Sequence, residues 1–539
     1  MKNCPKIRLV RIFCFPGRPY IKDTHPSTIR DMMMARHFVF LLLLFLAAPL
    51  SAQQALQLTI LHYNDFHSQN VPTTMRVKND DGEQVRKPGG GAAVIKHMVE
   101  KFRAGEEHVV LLHAGDDFQG TPISSITKGA SQFEILELMQ PDVMTLGNHE
   151  FDYGAENIRR LLPTVTFPIV SANLWDKDAG APFVPRYRIL RRGPLKIGVI
   201  GLAPPDLASL SLRENVSGLD VLDTVMTTRH TMAELETNFG VNFIVVLSHM
   251  GIEVDTVLAA QVDGIDVIVG GHSHTALWRE KIVNGTVIVQ AGSKGKWLGA
   301  LQLEVDVDAG TILQSTGELI PMLSEELPAD PVMAAKVAEL EAVVEEGFGE
   351  VIGTLETDWE RRSHGESNIG NWQTDVMRDF TGADVAFQNS GGIRKNLEAG
   401  PITLRDMWEI SPFGNHFVIF KVTGEQLLGM IRYQAVVTGE FCQVSGIRYS
   451  FNYDAEDSDA LKVEVGGAPV QLDKTYTITT NNYMGGHLYD IFGLPEADVA
   501  VEPAYPVHVD RDVFIEYIRK QKNISSTLED RITLKGKRP

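Results

Sequence analysis

The chain has 539 residues, 44% of them hydrophobic, which is enough to bury large cores and suggests two or more domains rather than one. Its formal net charge is −19, but residues 1–52 hold eight of the 50 Lys/Arg and two of the 69 Asp/Glu, so the remainder carries 42 against 67, a net −25. That acidic balance argues against a nucleic-acid polymer as partner.

In chain order, residues 1–33, with Cys4, Cys14 and scattered basic residues, read as an upstream over-extension of the reading frame, a long signal peptide being the alternative. The stretch "MARHFVFLLLLFLAAPLSAQQ" (34–54) follows, with basic Arg36, an apolar run from Phe38 to Ala48, and small Ser51 and Ala52 before Gln53. It reads as a secretory signal peptide. Its apolar run is shorter than the ~20 residues of a membrane span, so a retained anchor is the weaker alternative. Residues 1–52 are thus assigned to extension and signal, and the mature chain is expected in the periplasm or outside the cell, with no stable membrane anchor after cleavage. Only Cys442 then remains, which precludes an intramolecular disulfide and suits a bacterial periplasm.

From residue 55 onward, apolar β-rich runs recur: "LQLTILHY", "HVVLLHA", "DVMTLG", "LKIGVIGL", "NFIVVLS", "DVIVGG" and "GTVIVQA". Helix-compatible stretches such as "GAAVIKHMVEKFRAG" and "RHTMAELETNFG" lie between them. Strands apolar on both faces that alternate with helices predict a layered α/β sheet domain over 55–325. Asp330-Pro331 then opens "DPVMAAKVAELEAVVEEGFG", with Val337, Leu340 and Val344 at helical spacing, which predicts a connecting helix over 329–349. Residues 350–535 return to mixed strands and helices, including "HFVIFKVTGEQLLGMIRYQA" and "KTYTITTNNY", and predict a second, smaller α/β domain.

Polar clusters follow the strands of the first domain, at the ends where open α/β sheets place their sites. They are "HYNDFH" with Asp65 and His67, "HAGDDF" with Asp116, "GNHEFD" with Asn148 and His149, "LSHMG" with His249, and "GGHSH" with His272 and His274. A lone His after a strand is an ordinary structural residue. Five such clusters in one domain are hard to explain as packing, because buried carboxylates and imidazoles need partners. Two divalent ions account for the set: Asp65, His67 and His274 on one, Asn148, His249 and His272 on the other, and Asp116 between them. Two carboxylates against four positive charges leave a site of about +2 that attracts a phosphate anion and acidifies a water. Nitrogen and oxygen ligands without thiolate suit zinc, manganese, cobalt or iron, and the sequence does not choose among them. His62 and His113, one step inside the strands, read as core.

These clusters match, in order, the calcineurin-like metallophosphoesterase signature, and the chain resembles the bacterial periplasmic 5'-nucleotidase/UDP-sugar hydrolase family over roughly residues 56–530. "NSGGIR" (389–394), "SPFGNHF" (411–417) and "QVSGIRYSF" (443–451) carry the likeness to that family's C-terminal domain. The resemblance implies a four-layer α/β/β/α sandwich joined by the helix to a smaller C-terminal α/β domain that binds substrate. It also implies a dyad in which Asp152 orients His149 and favours its protonated form, which stabilises the departing oxygen. An N-terminal helix cap is the plain alternative for Asp152. Glu150 reads only as a structural hydrogen-bonding residue. Phe413 and Tyr483 are implied to sandwich a nucleobase, Asn389 and Arg394 to hold the phosphate and sugar side, and an additional arginine falls at Arg362 or Arg361. His487 stands where the family has an Asp that contacts ribose, with Asp490 the candidate to replace it from a shifted loop. The implied activity is hydrolysis of nucleoside 5'-monophosphates, with UDP-sugars and cyclic 2',3'-nucleotides as further candidates. A thiosulfohydrolase of sulfur oxidation and a non-catalytic nucleotide-binding module are the rivals. Because base and metals would be held by different domains, the domains are expected to move, with the helix and its flanks as hinge.

Overall fold

The computed structural model describes residues 55–78, 82–436, 439–455, 460–504 and 507–536, so the expected upstream extension and signal peptide fall outside the described residues. The described chain from Ala55 forms one compact unit. No described helix is long and apolar enough to cross a membrane.

Each of the seven apolar runs becomes a strand, and two six-stranded sheets result. In the first, Ala55–Tyr63, Val109–His113, Val143–Thr145 and Ile169–Val170 run parallel. Trp297–Asp306 and Thr311–Pro321 close the other side antiparallel. In the second, Leu195–Leu202, Phe243–Ser248, Val267–Val269 and Thr286–Val289 run parallel between antiparallel edges Tyr187–Arg192 and Lys281–Val283. The sheets face each other across a core of Leu58, Ile60, Val110, Leu112, Val199, Val245, Leu247 and Val267, all almost fully buried. One residue set of each strand fills this interior, and the alternate set meets helices, which is why the runs are apolar without alternation.

Ala92–Gly105, Ala130–Met139 and Pro331–Phe348 cover the first sheet, and Thr224–Phe239 with Ile252–Gln261 covers the second. The resulting order of layers is α/β/β/α, as the resemblance implied. Pro331–Phe348 is a well-formed helix. Asp330 caps it by accepting from the Met333 N–H at 2.8 Å, and Pro331 takes the first turn, where its missing N–H is harmless. Its Met333, Val337, Leu340 and Val344 are buried with residues of the first half.

The second half is built on a five-stranded sheet, Cys442–Ser445, Val385–Asn389, Thr475–Asn481, Phe417–Thr423 and Glu502–Pro503. Asn368–Thr381 and Asp510–Gln521 pack on one core around Trp359, Trp372 and Phe514, and Gly424–Val436 packs on another around Phe387, Phe420 and Phe492. Cys442 is a free, buried thiol on the sheet edge.

Candidate metal centre

The carboxyl ends of both parallel strand sets converge. Asp65 and His67 follow Tyr63, Asp116 follows His113, and Asn148 follows Thr145 from the first sheet, while His249 follows Ser248 and His272 and His274 follow Val269 from the second. Five of these seven side chains leave a left-handed backbone: Asp65 (φ 49°), His67 (50°), Asp116 (59°), His272 (71°) and His274 (54°). Non-glycine residues in that region are strained by about 1–3 kcal/mol each and persist only where their surroundings hold them. Here the main chain does so, through Asp65 N to Gly115 O (3.0 Å), His67 N to Asp116 O (3.0 Å) and Lys294 N to Asp65 O (2.7 Å). Gly115 and Gly147 are required between the strands, since a Cβ on Gly147 would lie 2.2 Å from the Asp116 carboxylate and one on Gly115 would lie 2.7 Å from the Gly147 nitrogen.

The donor atoms form overlapping groups. Asp65, His67 and His274 make one, Asp116, His249 and His272 another, and His67, Asp116 and His149 a third between them. His67 Nε2 lies 3.0 Å from His274 Nε2, and His274 Nε2 3.2 Å from Asp65 Oδ1. In the second group His249 Nε2 is 3.1 Å from Asp116 Oδ2, and His272 Nδ1 is 3.0 Å from Asn148 Oδ1. These residues fit divalent cations. Two imidazole nitrogens directed at each other have no use for one another as neutral acceptors, and a neutral His249 that donates through Nδ1 turns its buried Nε2 lone pair towards the Asp116 carboxylate 3.1 Å away, an acceptor facing an acceptor unless a cation lies between. The His249 Nδ1, 2.6 Å from Ala114 O, is the ring's donor to the main chain, the outer-shell bond that fixes a ligating imidazole. Burial disfavours charge on His249, yet the Asp116 and Asp65 carboxylates outweigh it and raise the ring to about 10, a measure of how strongly this pocket favours a cation.

His149 places Nδ1 3.0 and 3.2 Å from the two oxygens of Asp152. Burial works against its charge, but Asp152 and Asp116 prevail and its pKa is raised. Asp152 therefore directs its carboxylate at His149, while Gly154 caps the next helix, Ala155–Leu161. Glu150, fully buried, accepts main-chain N–H bonds from Asp116 (3.0 Å), Asp117 (2.7 Å), Phe118 (3.3 Å) and Gly147 (2.7 Å). It ties together the two loops that carry Asp116 and Asn148, a structural role as expected. His62 and His113 are buried, and His113 Nε2 meets Asp117 Oδ2 at 2.8 Å.

A cavity of about 310 Å³ opens over this floor. Its walls bring together Asp116, Asn148, His149, Asp152, His272 and His274 from the first half with Asn389, Arg394, Phe413 and Tyr483 from the second. Asp65, His67 and His249 are buried, outside that lining. Phe413 lies 5.7 Å from the His149 ring at 29°, with the Arg394 guanidinium 5.8 Å from its centroid. Arg394 Nη2 comes within 3.4 Å of His67 Nε2. Asn389 Oδ1 accepts from Asn481 Nδ2 at 2.9 Å. Of the two arginines weighed for the remaining place, Arg362 is exposed, whereas Arg361 is half-buried beside Arg394 with its Nε unpartnered. Neither lines the cavity, and Arg361 is the one whose burial sets it beside Arg394. Asp490 is exposed and 4.0 Å from Arg213, and His487 is buried with its ring nitrogens 2.7 and 3.0 Å from the main-chain oxygens of Tyr483 and Ala208; neither lines the cavity.

Sequence reasoning did not reach Glu440, Lys294 or the wall Leu210–Leu212 with Asn215. Glu440 lines the cavity and accepts from Gly391 N at 2.6 Å. Lys294 approaches the Arg394 carbonyl at 3.5 Å, and burial, with Arg394, Lys296 and Arg361 nearby, lowers its pKa to about 7. None of these sits in a polar strand-end cluster, the one signal that marked the others.

Residues 58–276 match the model of calcineurin-like phosphoesterases, and residues 351–493 that of the 5'-nucleotidase C-terminal domain. A 5'-nucleotidase of Diplobatis ommata is 31% identical over 547 residues, covering 91% of this chain and 92% of that protein. An endonuclease, YhcR of Bacillus subtilis, is 30% identical over 89% of this chain, which spans 41% of that longer protein. The crystal structure of a 5'-nucleotidase precursor from Thermus thermophilus superposes with a TM-score of 0.81 at 30% identity, over 89% of this chain and all of that one. With a calcineurin-like domain, a 5'-nucleotidase C-terminal domain and relatives matched nearly end to end, the chain belongs to the 5'-nucleotidase family of metal-dependent phosphoester hydrolases.

Proposed function

We propose that this chain is an exported phosphohydrolase that releases phosphate from nucleoside 5'-monophosphates, with UDP-sugars and cyclic 2',3'-nucleotides as further substrates. The observation that carries the reading is that one cavity is walled by the candidate metal ligands on one side and by Phe413 and Tyr483 on the other. A phosphate and an aromatic base on one small molecule match those two ends. In this reading Asp65, His67 and His274 would hold one divalent cation and Asn148, His249 and His272 a second, with Asp116 available to both. Two cations, drawn from zinc, manganese, cobalt or iron, would supply charge neutralisation for the phosphate and a more acidic water.

The chain's own residues do the rest. His149, kept protonated by Asp152, directs Nε2 to the side of Asp116, where it can give a hydrogen bond or a proton to the departing 5'-oxygen. Arg394, over the same floor, meets the phosphate oxygens, with Arg361 behind it. Phe413 and Tyr483 supply stacking faces, and stacking tolerates any base. A thiosulfohydrolase has no need of two aromatic walls, and a binding module has no need of the whole ligand set, so both rivals are less economical.

A phosphate-release screen of the purified mature protein across nucleoside monophosphates, nucleotide sugars, cyclic nucleotides and glycerol 2-phosphate, with each metal added in turn, tests the reading. Nucleoside 5'-monophosphates should be preferred over glycerol 2-phosphate by at least tenfold in kcat/KM, and equal rates on both would refute it. Export is tested separately by intact mass, which should begin at or near Gln53.

A further inference from the structure

The wall Leu210–Asn215 is tied to both ends of the cavity. Towards the floor, Asn215 Nδ2 donates to the Asp152 carbonyl at 2.8 Å, and the Ser211 hydroxyl approaches the Asn148 carbonyl at 3.5 Å. On the other side it meets the turn after strand Thr475–Asn481. The Tyr483 hydroxyl donates to Ser209 O at 2.9 Å, and His487 Nε2 lies 3.0 Å from Ala208 O. The second ring nitrogen of His487 is 2.7 Å from the carbonyl of Tyr483 itself, and the two rings lie 4.7 Å apart. Further out, Arg213 pairs with Glu496 at 2.6 and 2.8 Å.

His487 is 1% exposed and does not line the cavity. Its two ring nitrogens each face a main-chain oxygen, one on each half of the molecule; a carbonyl only accepts, so the neutral ring donates to one of them and the protonated ring to both, and neither nitrogen faces the cavity. A buried imidazole so used fixes where one backbone stands relative to another. What it fixes is the Tyr483 ring, whose hydroxyl makes the neighbouring bond across the same boundary.

We propose that His487 is a positioning residue for the nucleoside end of the substrate: with the Tyr483 hydroxyl it clamps residues 481–488 of the second half onto residues 206–216 of the first, and so sets the Tyr483 ring and the Leu210–Asn215 wall at the spacing a nucleoside fills. The inference rests on the nucleotide reading given above. It makes the Tyr483 hydroxyl important for a reason separate from stacking, and it gives specificity to a residue that never touches the ligand.

The test uses the full mature protein with adenosine 5'-monophosphate and glycerol 2-phosphate. His487→Ala and Tyr483→Phe should each raise KM for the nucleotide by about tenfold, the effect of one or two lost hydrogen bonds, with kcat changed less than about twofold. Turnover of glycerol 2-phosphate by His487→Ala, whose side chain lies outside the cavity, should stay within about twofold in kcat/KM. Because both variants break one clamp, the double variant should lose less than the product of the singles. His487→Gln, which keeps one side-chain N–H donor, should recover part of the nucleotide KM. Equal losses on both substrates with a lowered melting temperature would assign His487 to folding alone and overturn the inference. So would a nucleotide KM unchanged in both single variants of a wild type that prefers the nucleotide. A wild type without that preference would instead overturn the nucleotide reading beneath it.

Discussion

Replacing Glu150 by Gln changes one oxygen to an NH2 group and nothing else in size. Each carboxylate oxygen of Glu150 receives two main-chain N–H groups: Oε1 those of Asp117 and Phe118, Oε2 those of Asp116 and Gly147. Burial, and Asp116 after it, raises the Glu150 pKa, while the donors act in the opposite sense; four N–H groups can be accepted together only by the ionised form. Either orientation of a Gln amide sets an N–H donor against two N–H donors. Two charge-assisted bonds of about 1.5–3 kcal/mol each are then lost, roughly 3–6 kcal/mol, a large part of the ~5–15 kcal/mol that holds a domain folded. The bonds lost anchor the loops bearing Asp116 and Asn148, so divalent-metal affinity should fall as well, by about 10- to 100-fold, as for other outer-shell partners. Urea unfolding with and without added manganese, beside calorimetric metal titration, measures both. A Glu150→Gln protein within about 1 kcal/mol of wild type and with unchanged metal affinity would show that the four contacts carry none of the load assigned to them.

Asp116→Asn should abolish activity and lower metal content, whereas His149→Ala should keep its metals and lose on the order of 10²–10⁴ in kcat. Metal analysis beside kinetics separates the two, and metal loss in His149→Ala would refute the division of roles. Phe413→Ala should raise KM for adenosine 5'-monophosphate by one to two powers of ten, from about 1–3 kcal/mol of stacking, and leave glycerol 2-phosphate nearly unchanged; equal losses on both would remove the base clamp. Burial pushes Asp510 up to about 7, against the Arg511 main-chain N–H and side chain, so the folded state keeps a proton that the unfolded state releases near pH 4. Stability should therefore fall as pH rises from about 4 to 7, by up to ~4 kcal/mol, and Asp510→Asn should flatten that slope in urea midpoints measured across the range. An unchanged slope would assign the pH dependence elsewhere.

The strands that position the site were legible because both their faces are buried, so each reads as an unbroken apolar run: "NFIVVLS" became Phe243–Ser248 with every residue inside. The edge strand Thr311–Pro321 was not, since it lies mostly exposed and mixes Thr, Gln, Ser and Glu with its apolar residues. The ligand clusters stood out because polar residues at the end of a buried strand need a reason. Glu440 in "TGEFCQ" and Lys294 in "AGSKGKW" are ordinary loop residues until packing brings them beside Arg394, 46 and 100 positions away. The choice between Arg361 and Arg362 turned on which side of one loop faces inward, a distinction no composition or period records. His487 was read as standing where the family has a ribose-contacting Asp, with Asp490 the candidate to replace it; Asp490 points to solvent, and the tertiary contact with Ala208, distant in sequence, gives the His487 ring another occupation.

The connecting helix bears on how such a molecule opens. Met333, Val337, Leu340 and Val344 sit in the same core as Ala92, Ile95 and Met98, so the helix travels with the first half as part of its body. The second half's own core begins at Ile352. Phe348 packs against the first half's core too, so a pivot between the halves is confined to residues 349–351, the trailing flank alone, and any swing must part the Arg405–Glu341 ion pair (2.6 Å) as well as the contacts of Tyr483 and His487. For such a swing the second half is a lever with a short axle at one end and a catch at the other. In a molecule that opens this way, Phe413 and Arg394 travel with the lever, and the Tyr483 and His487 contacts must break before the cavity parts.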